Sequence, residues 1–253
     1  MKYLPFLLII LVLSCKNSDQ KTHQSDRYAN IGDAKARAVI QSAIEAAGGI
    51  DRWEAIKRLQ YTKDFSLLLE SGEVEKTFKQ VHDYQYQPLK IEIRSEENGQ
   101  NIRTVLKNGK YTRTVHDSLM ELSQEALAKA VNTSTYVVSM PFKLLDPGAN
   151  ITYEGHDTLV DGREVDVLRV AYNADQYDNH STSDVWKYYF DKEGRIVDHW
   201  VKNGDHFSWI EKLSDVKVGS ILFNQKRQSD RPDSLNNRLF LRAKYLYDNY
   251  VLE

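Results

Sequence analysis

A single cysteine, Cys15, stands in the 253-residue sequence, so an internal disulfide is excluded. Beyond the first thirteen residues no apolar run is long enough to cross a bilayer as a helix, which takes roughly 20 residues. No internal repeat occurs. Lys plus Arg number 34 and Asp plus Glu 36, and the two signs are interspersed, so no segment has the basic character of a nucleic-acid surface. The sequence also lacks a zinc-binding HExxH, a phosphate-cradling glycine loop and a G-x-S-x-G nucleophile elbow. Metalloprotease, P-loop and α/β-hydrolase chemistry therefore have no motif to stand on.

What is present begins at the N-terminus. Lys2 precedes Leu4–Leu13, an apolar stretch broken only by Pro5. This is too short for a membrane span and fits the apolar region of a secretory signal. It ends Val12-Leu13-Ser14-Cys15. That end resembles the lipobox of bacterial lipoproteins, in which a peptidase cuts before the cysteine and the new terminus is acylated. Acyl chains on Cys15 would be the link to membrane lipid, each buried CH₂ contributing about 0.8 kcal/mol. Lys16, not an aspartate, follows, which resembles the pattern sorted onward to an outer membrane. The chain is thus expected to comprise a signal peptide over 1–14, a lipidated cysteine and polar tether over 15–32, and one domain over 33–253. Loss of Lys2 with the signal takes the formal charge from -2 to -3.

The domain opens with helical spacing. Ala36, Val39, Ile40, Ala43, Ile44 and Ala47 share a stripe, Asp33 suits the N-cap, and Gly48-Gly49 suits the stop. A short second helix holds Trp53 and Ile56 on one face, with Asp51 and Glu54 at capping-box spacing. From Tyr61 onward strands dominate. Ser71-Gly72, Asn108-Gly109 and Asp161-Gly162 each mark a turn between strand-like runs. Leu122–Thr133 interrupts them as a helix that Ser123 can cap. In the closing stretch Leu239, Leu241, Ala243, Tyr245 and Tyr247 share a face. The reading is ten or eleven strands and three or four helices, with no helix between successive strands. That excludes a βαβ fold and favours an α+β protein, mainly β: a strongly curved antiparallel sheet, a half-open barrel, with helices laid over it.

Several stretches carry a family likeness. Ala46-Ala47-Gly48-Gly49 followed by Trp53 and Ile56 is similar to the entry of LolA/LolB-like proteins. SMPFKLLDPG at 139–148, the turn Val160-Asp161-Gly162, and KYYFDKEGRIVDHW at 187–200 resemble DUF6503, an uncharacterised lipoprotein family of Bacteroidetes-type bacteria. The likeness spans about 33–250. It implies a half-open antiparallel barrel capped by helices. In the wider superfamily such a barrel takes acyl chains into an apolar cavity, and the membrane-anchored members are acceptors.

The stretch from Val185 to Val201 holds the densest aromatic cluster. Alternation puts Trp186, Tyr188 and Phe190 on one face, and sends His199 and Trp200 to opposite sides. The stripe can be packing, the wall of an apolar cavity, or a stacking platform for sugar. Trp186, Tyr188, Phe190, Trp200 and Tyr245 are the candidate cavity lining. Among seven histidines, His180, His199 and His206 are the only candidates for a metal site, at the rim of the hairpin, and they lack the short ligand pair of a structural zinc site. His82, His116 and His156 each adjoin an aspartate, but neighbours on a strand face opposite ways.

Three functions follow. The first is a non-enzymatic, lipid-anchored envelope protein, expected at the outer membrane, that binds an acyl chain or another hydrophobic molecule and needs no cofactor. The second is a structural envelope protein with a filled core. The third is an envelope hydrolase or metal-dependent enzyme using the His180/His199/His206 region with Asp184 and Asp205.

Overall fold

The structure, a computed structural model, describes residues 27–97, 99–173, 184–233 and 235–253. The expected signal peptide, Cys15 and His180 lie outside the described residues. The first helix, α1, spans Ala34–Ala46 and buries Ala36, Ile40, Ala43 and Ile44, each isoleucine contributing about 1.5–3 kcal/mol of burial. Asp33 does two things at its start. Its Oδ1 accepts the backbone N–H groups of Lys35 and Ala36, and its Oδ2 accepts that of Tyr153, far along the chain. One carboxylate thus caps the helix and fastens it to the sheet. Gly48, at φ +117, ends the helix where a Cβ would lie 2.2 Å from the Ser220 carbonyl oxygen, so both backbone angle and space demand glycine. A one-turn helix, α2, follows at Ile50–Glu54. The expected capping box does not form there. Gly49 is the N-cap with no side-chain bond, and Asp51 and Glu54 bind Arg27 instead.

Six strands come next: β1 Arg58–Leu68, β2 Val74–Tyr86, β3 Leu89–Glu97, β4 Gln100–Lys107, β5 Lys110–Val115 and the two-residue β6 Ser118–Leu119. The third helix, α3, covers Gln124–Val138, and a 3-10 turn covers Phe142–Leu145. Seven strands close the chain: β7 Ala149–Thr158, β8 Glu164–Tyr172, β9 Val185–Phe190, β10 Ile196–Asn203, β11 His206–Val218, β12 Ile221–Pro232 and β13 Arg238–Leu252. Asn108 and Gly109, both at positive φ, make the tight turn their dipeptide demands. Every pairing is antiparallel.

Among the described residues these thirteen strands form one open, curved sheet, in the order β6-β5-β4-β3-β2-β1-β13-β12-β11-β10-β9-β8-β7. That is two or three strands more than the turn signals suggest, because long strands such as β11 and β12 are half polar and hide their ends. The order has a consequence for α3. Two meanders meet where β13 pairs with β1, leaving β6 and β7 as the free edges. Residues 120–148 must join those edges, so α3 and the 3-10 turn have to cross the mouth of the sheet.

The core lies between the helices and this inner face. It joins Ile40 and Ile44 of α1, Val131 and Tyr136 of α3, Leu144 of the 3-10 turn, and Leu59, Tyr84, Leu168 and Phe223 of the sheet. Trp53 stacks on Phe142 at 4.5 Å between centroids. The domain begins earlier than residue 33. Tyr28 and Ile31, assigned above to the tether, are buried in this core; two isolated apolar residues in a polar segment set up no period to read. A smaller cluster, Leu159, Val165, Val167, Tyr189 and Val197, sits apart from the main core with Trp200 and Trp209 packed against it.

Candidate functional site

The hairpin β9–β10 decides what faces inward. Its register pairs Phe190 with Ile196, then Tyr189 with Asp198, Tyr188 with His199 and Lys187 with Trp200. The shift between Ile196 and Asp198 is a bulge, which gives Val197 and Asp198 the same side and reverses the alternation beyond it. Ile196 packs on the main core and Val197 belongs to the smaller cluster. Asp198 is wholly buried and accepts from Trp209 Nε1 at 2.7 Å and Arg238 Nη2 at 3.0 Å. His199 turns inward.

This arrangement corrects two expectations. His199 is not at the rim: it is buried, its ring 5.6 Å from that of Tyr188 and 5.9 Å from that of Trp186. Trp200 does not join Trp186, Tyr188 and Phe190. It faces the other way, against Phe207 and the smaller cluster. Exact alternation separates His199 from Trp200, as expected, but only the bulge determines which of them points in. His206 is exposed at the tip of β10–β11, opposite Asn203. His199 and His206 therefore share no site. Asp184 is buried and Asp205 exposed. Among the described residues no group of three His, Cys, Asp or Glu is placed to hold a metal ion.

Tyrosines tie the interior together. Tyr136 of α3 accepts hydrogen bonds from Tyr172 Oη at 2.9 Å and Tyr188 Oη at 2.8 Å. On the other meander Tyr61 Oη lies 3.0 Å from Tyr84 Oη, which lies 2.9 Å from His82 Nδ1. His82 lies within β2 and is wholly buried. Burial, then the charge of Lys63, lowers its pKa to about 3. Burial, then Arg227 and Lys212, holds His199 well below the usual histidine value. Both imidazoles are neutral.

Among the described residues, two spaces border the inner face. One, of about 40 Å³, lies between α1 and the sheet, against Tyr188, Ile196 and the Lys212–Asp215 pair. The other, of about 190 Å³, lies under α3, against Lys63, Trp186, His199, Arg227, Tyr245 and Tyr247. Trp186 and His199 border both. Of the expected lining, Trp186 and Tyr245 border the larger space and Tyr188 the smaller, while Phe190 is packed in the core.

The larger space holds two residues that the sequence reading passed over. Arg227 is 6% exposed, and its one hydrogen bond among the described residues runs from Nη2 to Tyr247 Oη at 2.8 Å. Its Nε is buried without a partner. The half-buried Lys63 forms no ion pair or hydrogen bond among the described residues; its amine sits 4.6 Å from the Phe65 ring centroid and 5.6 Å from that of Tyr245. Arg227 lies 4.8 Å from the same Tyr245 ring. Burial, then Arg227, lowers the Lys63 pKa to about 8. A signal was present for one of them: Lys63 continues Leu59 and Tyr61 at period two, whereas Gln225 separates Arg227 from Ile221 and Phe223. A cation on an otherwise apolar stripe is the informative exception.

The family model described as "Family of unknown function (DUF6503)" matches residues 28–207. No curated protein matches the chain. Among solved structures, a LolA superfamily protein, NE2245 from Nitrosomonas europaea, is similar with a TM-score of 0.53 at 10% identity, covering 86% of this chain and 93% of that one. A DUF1329 family protein from Desulfovibrio piger is similar with a TM-score of 0.48 at 11% identity, covering 86% and 93%. At such identity the first likeness concerns the fold alone.

Proposed function

Because the chain belongs to the DUF6503 family, whose description assigns no activity, we propose a function from its geometry: a lipid-anchored, non-enzymatic protein of the cell envelope that binds a small amphiphile on its inner face, beneath α3. The anchor in this reading is Cys15, at the head of the tether expected over 15–32, of which Tyr28 and Ile31 belong to the core, and the outer membrane is the expected address. The observation that carries the binding role is the space of about 190 Å³ between α3 and the sheet. It is smaller than the roughly 300 Å³ at which drug-sized sites begin. A short chain or a headgroup fits it; a long acyl chain requires α3 to move.

A second reading, a structural protein with a filled interior, is favoured by one observation. Tyr188 and Phe190 are each 1% exposed and tightly packed, and only about 40 Å³ stays open beside α1. One experiment separates the two. Every described element lies within 27–253, so a chain starting at Thr22 keeps every described element. Purified from cells without detergent and analysed by native mass spectrometry, it should carry an added mass that organic extraction releases as an amphiphile. A bare mass, with no binding of added short-chain amphiphiles, would favour the filled structural protein.

A further inference from the structure

We propose that the space under α3 is a seat for an anion, the carboxylate or phosphate end of an amphiphile, held by Arg227 and Lys63; this rests on the binding role proposed above. Three observations carry it. First, Arg227 is nine-tenths buried, and no carboxylate lies within ion-pair distance of it among the described residues. Buried charges in proteins are ordinarily paired, and a guanidinium has five N–H donors in a fork suited to two oxygens. Here one donor is used, on Tyr247.

Second, a further cation borders the same space. Lys63 and Arg227 both lie within 5.6 Å of the centroid of the Tyr245 ring. The ring faces offset part of the charge, but two like charges at one partly buried ring repel, and a dielectric below that of water strengthens that repulsion. An anion between them reverses its sign. Third, the remaining polar atoms there are not acids. His199 is neutral and Trp186 can only donate. His199 Nδ1 and Trp186 Nε1 are also buried without partners. The walls thus hold a surplus of donors and positive charge, while the apolar sides come from Trp186, Tyr245 and Val137 of α3.

The test uses the chain from Thr22 and three probes: octanoate, octan-1-ol and acetate, titrated by calorimetry. Octanoate should bind about tenfold or more tighter than octanol, the difference being a charge-assisted contact. R227M and K63M should each narrow the gap between octanoate and octanol toward none, and a cooperative melting transition shows that the variants are folded. Equal affinity of octanoate and octanol for the wild-type chain would overturn the anion seat and leave the amphiphile role standing. A preference for octanoate that survives in both variants would overturn the assignment to these residues. Acetate binding as tightly as octanoate would support the seat and overturn the amphiphile role. Binding of none of the three would overturn both.

Discussion

At the scale of single residues, burial of polar side chains sets how the protein responds to pH. His82 is neutral in the fold, with a pKa of about 3, whereas an unfolded histidine titrates near 6.5. Between those values the unfolded chain binds a proton that the folded one does not. The contribution is therefore complete above about pH 6.5 and is lost as pH falls. Asp198 runs the other way. Burial raises its carboxyl to about 6, against the pull of Trp209, Arg238 and Arg163, so its penalty grows as pH climbs from about 4 to 6. The two partly offset, and the difference between variants isolates each. In H82Q, the slope of unfolding free energy against pH below 6 should flatten by about one proton, or about 1.4 kcal/mol per pH unit. Urea titrations at a series of pH values measure it. An unchanged slope would mean that His82 is already protonated or already wet.

At the scale of elements, α3 and α1 are held by different devices. α3 crosses the mouth of the sheet because β6 and β7 are its two free edges, and Tyr136 pins it there by accepting from Tyr172 and Tyr188. Y136F removes the acceptor and leaves the Tyr188 hydroxyl without this bond. A loss of about 1–3 kcal/mol is expected, together with faster amide exchange in 124–138 but not in β11 and β12, read by hydrogen-exchange mass spectrometry. α1 is instead seated by close approach. Gly194, at φ +78 in the β9–β10 turn, would place a Cβ 2.5 Å from Ser42 Oγ and 2.8 Å from the Ser42 carbonyl carbon. Gly72 has a similar φ, +86, with nothing near. G72A should cost only the left-handed strain, about 1–2 kcal/mol; G194A should cost clearly more, because α1 has to shift. Equal losses in melting experiments would mean that α1 is loosely docked at this turn.

At the scale of the whole molecule, the proposed membrane attachment can be tested apart from the fold. No described helix is long and apolar enough to cross a membrane, and among the described residues the core begins at Tyr28. The proposed anchor, Cys15, precedes the first described residue. C15S should move the protein from the membrane pellet to the soluble fraction after cell disruption and abolish labelling by a fatty-acid analogue, with the melting temperature of the domain unchanged. Persistence in the pellet would assign attachment to something other than Cys15.

The order of local devices was legible along the chain. Asp33 and Ser123 announce their helices, Asn108-Gly109 and Asp161-Gly162 their turns, and period-two alternation most strands, because caps, turns and pleats depend on neighbours a few residues apart. A mainly antiparallel sheet covered by helices follows from those pieces alone. The closing pair β1–β13 did not follow, since it joins residues nearly two hundred positions apart; nor did the path of α3, which depends on where that pairing leaves the edges β6 and β7. Nor did the inner or outer side of His199 and Trp200, for one bulge at Val197 and Asp198 inverts a parity that sequence alternation assumes constant. Lys63 was visible as a cation on an apolar stripe and Arg227 was not, and only the tertiary pairing of β1, β12 and β13 brings the two to one tyrosine ring. Charge on a strand is written locally; whether it is left without a counter-charge depends on everything folded over it.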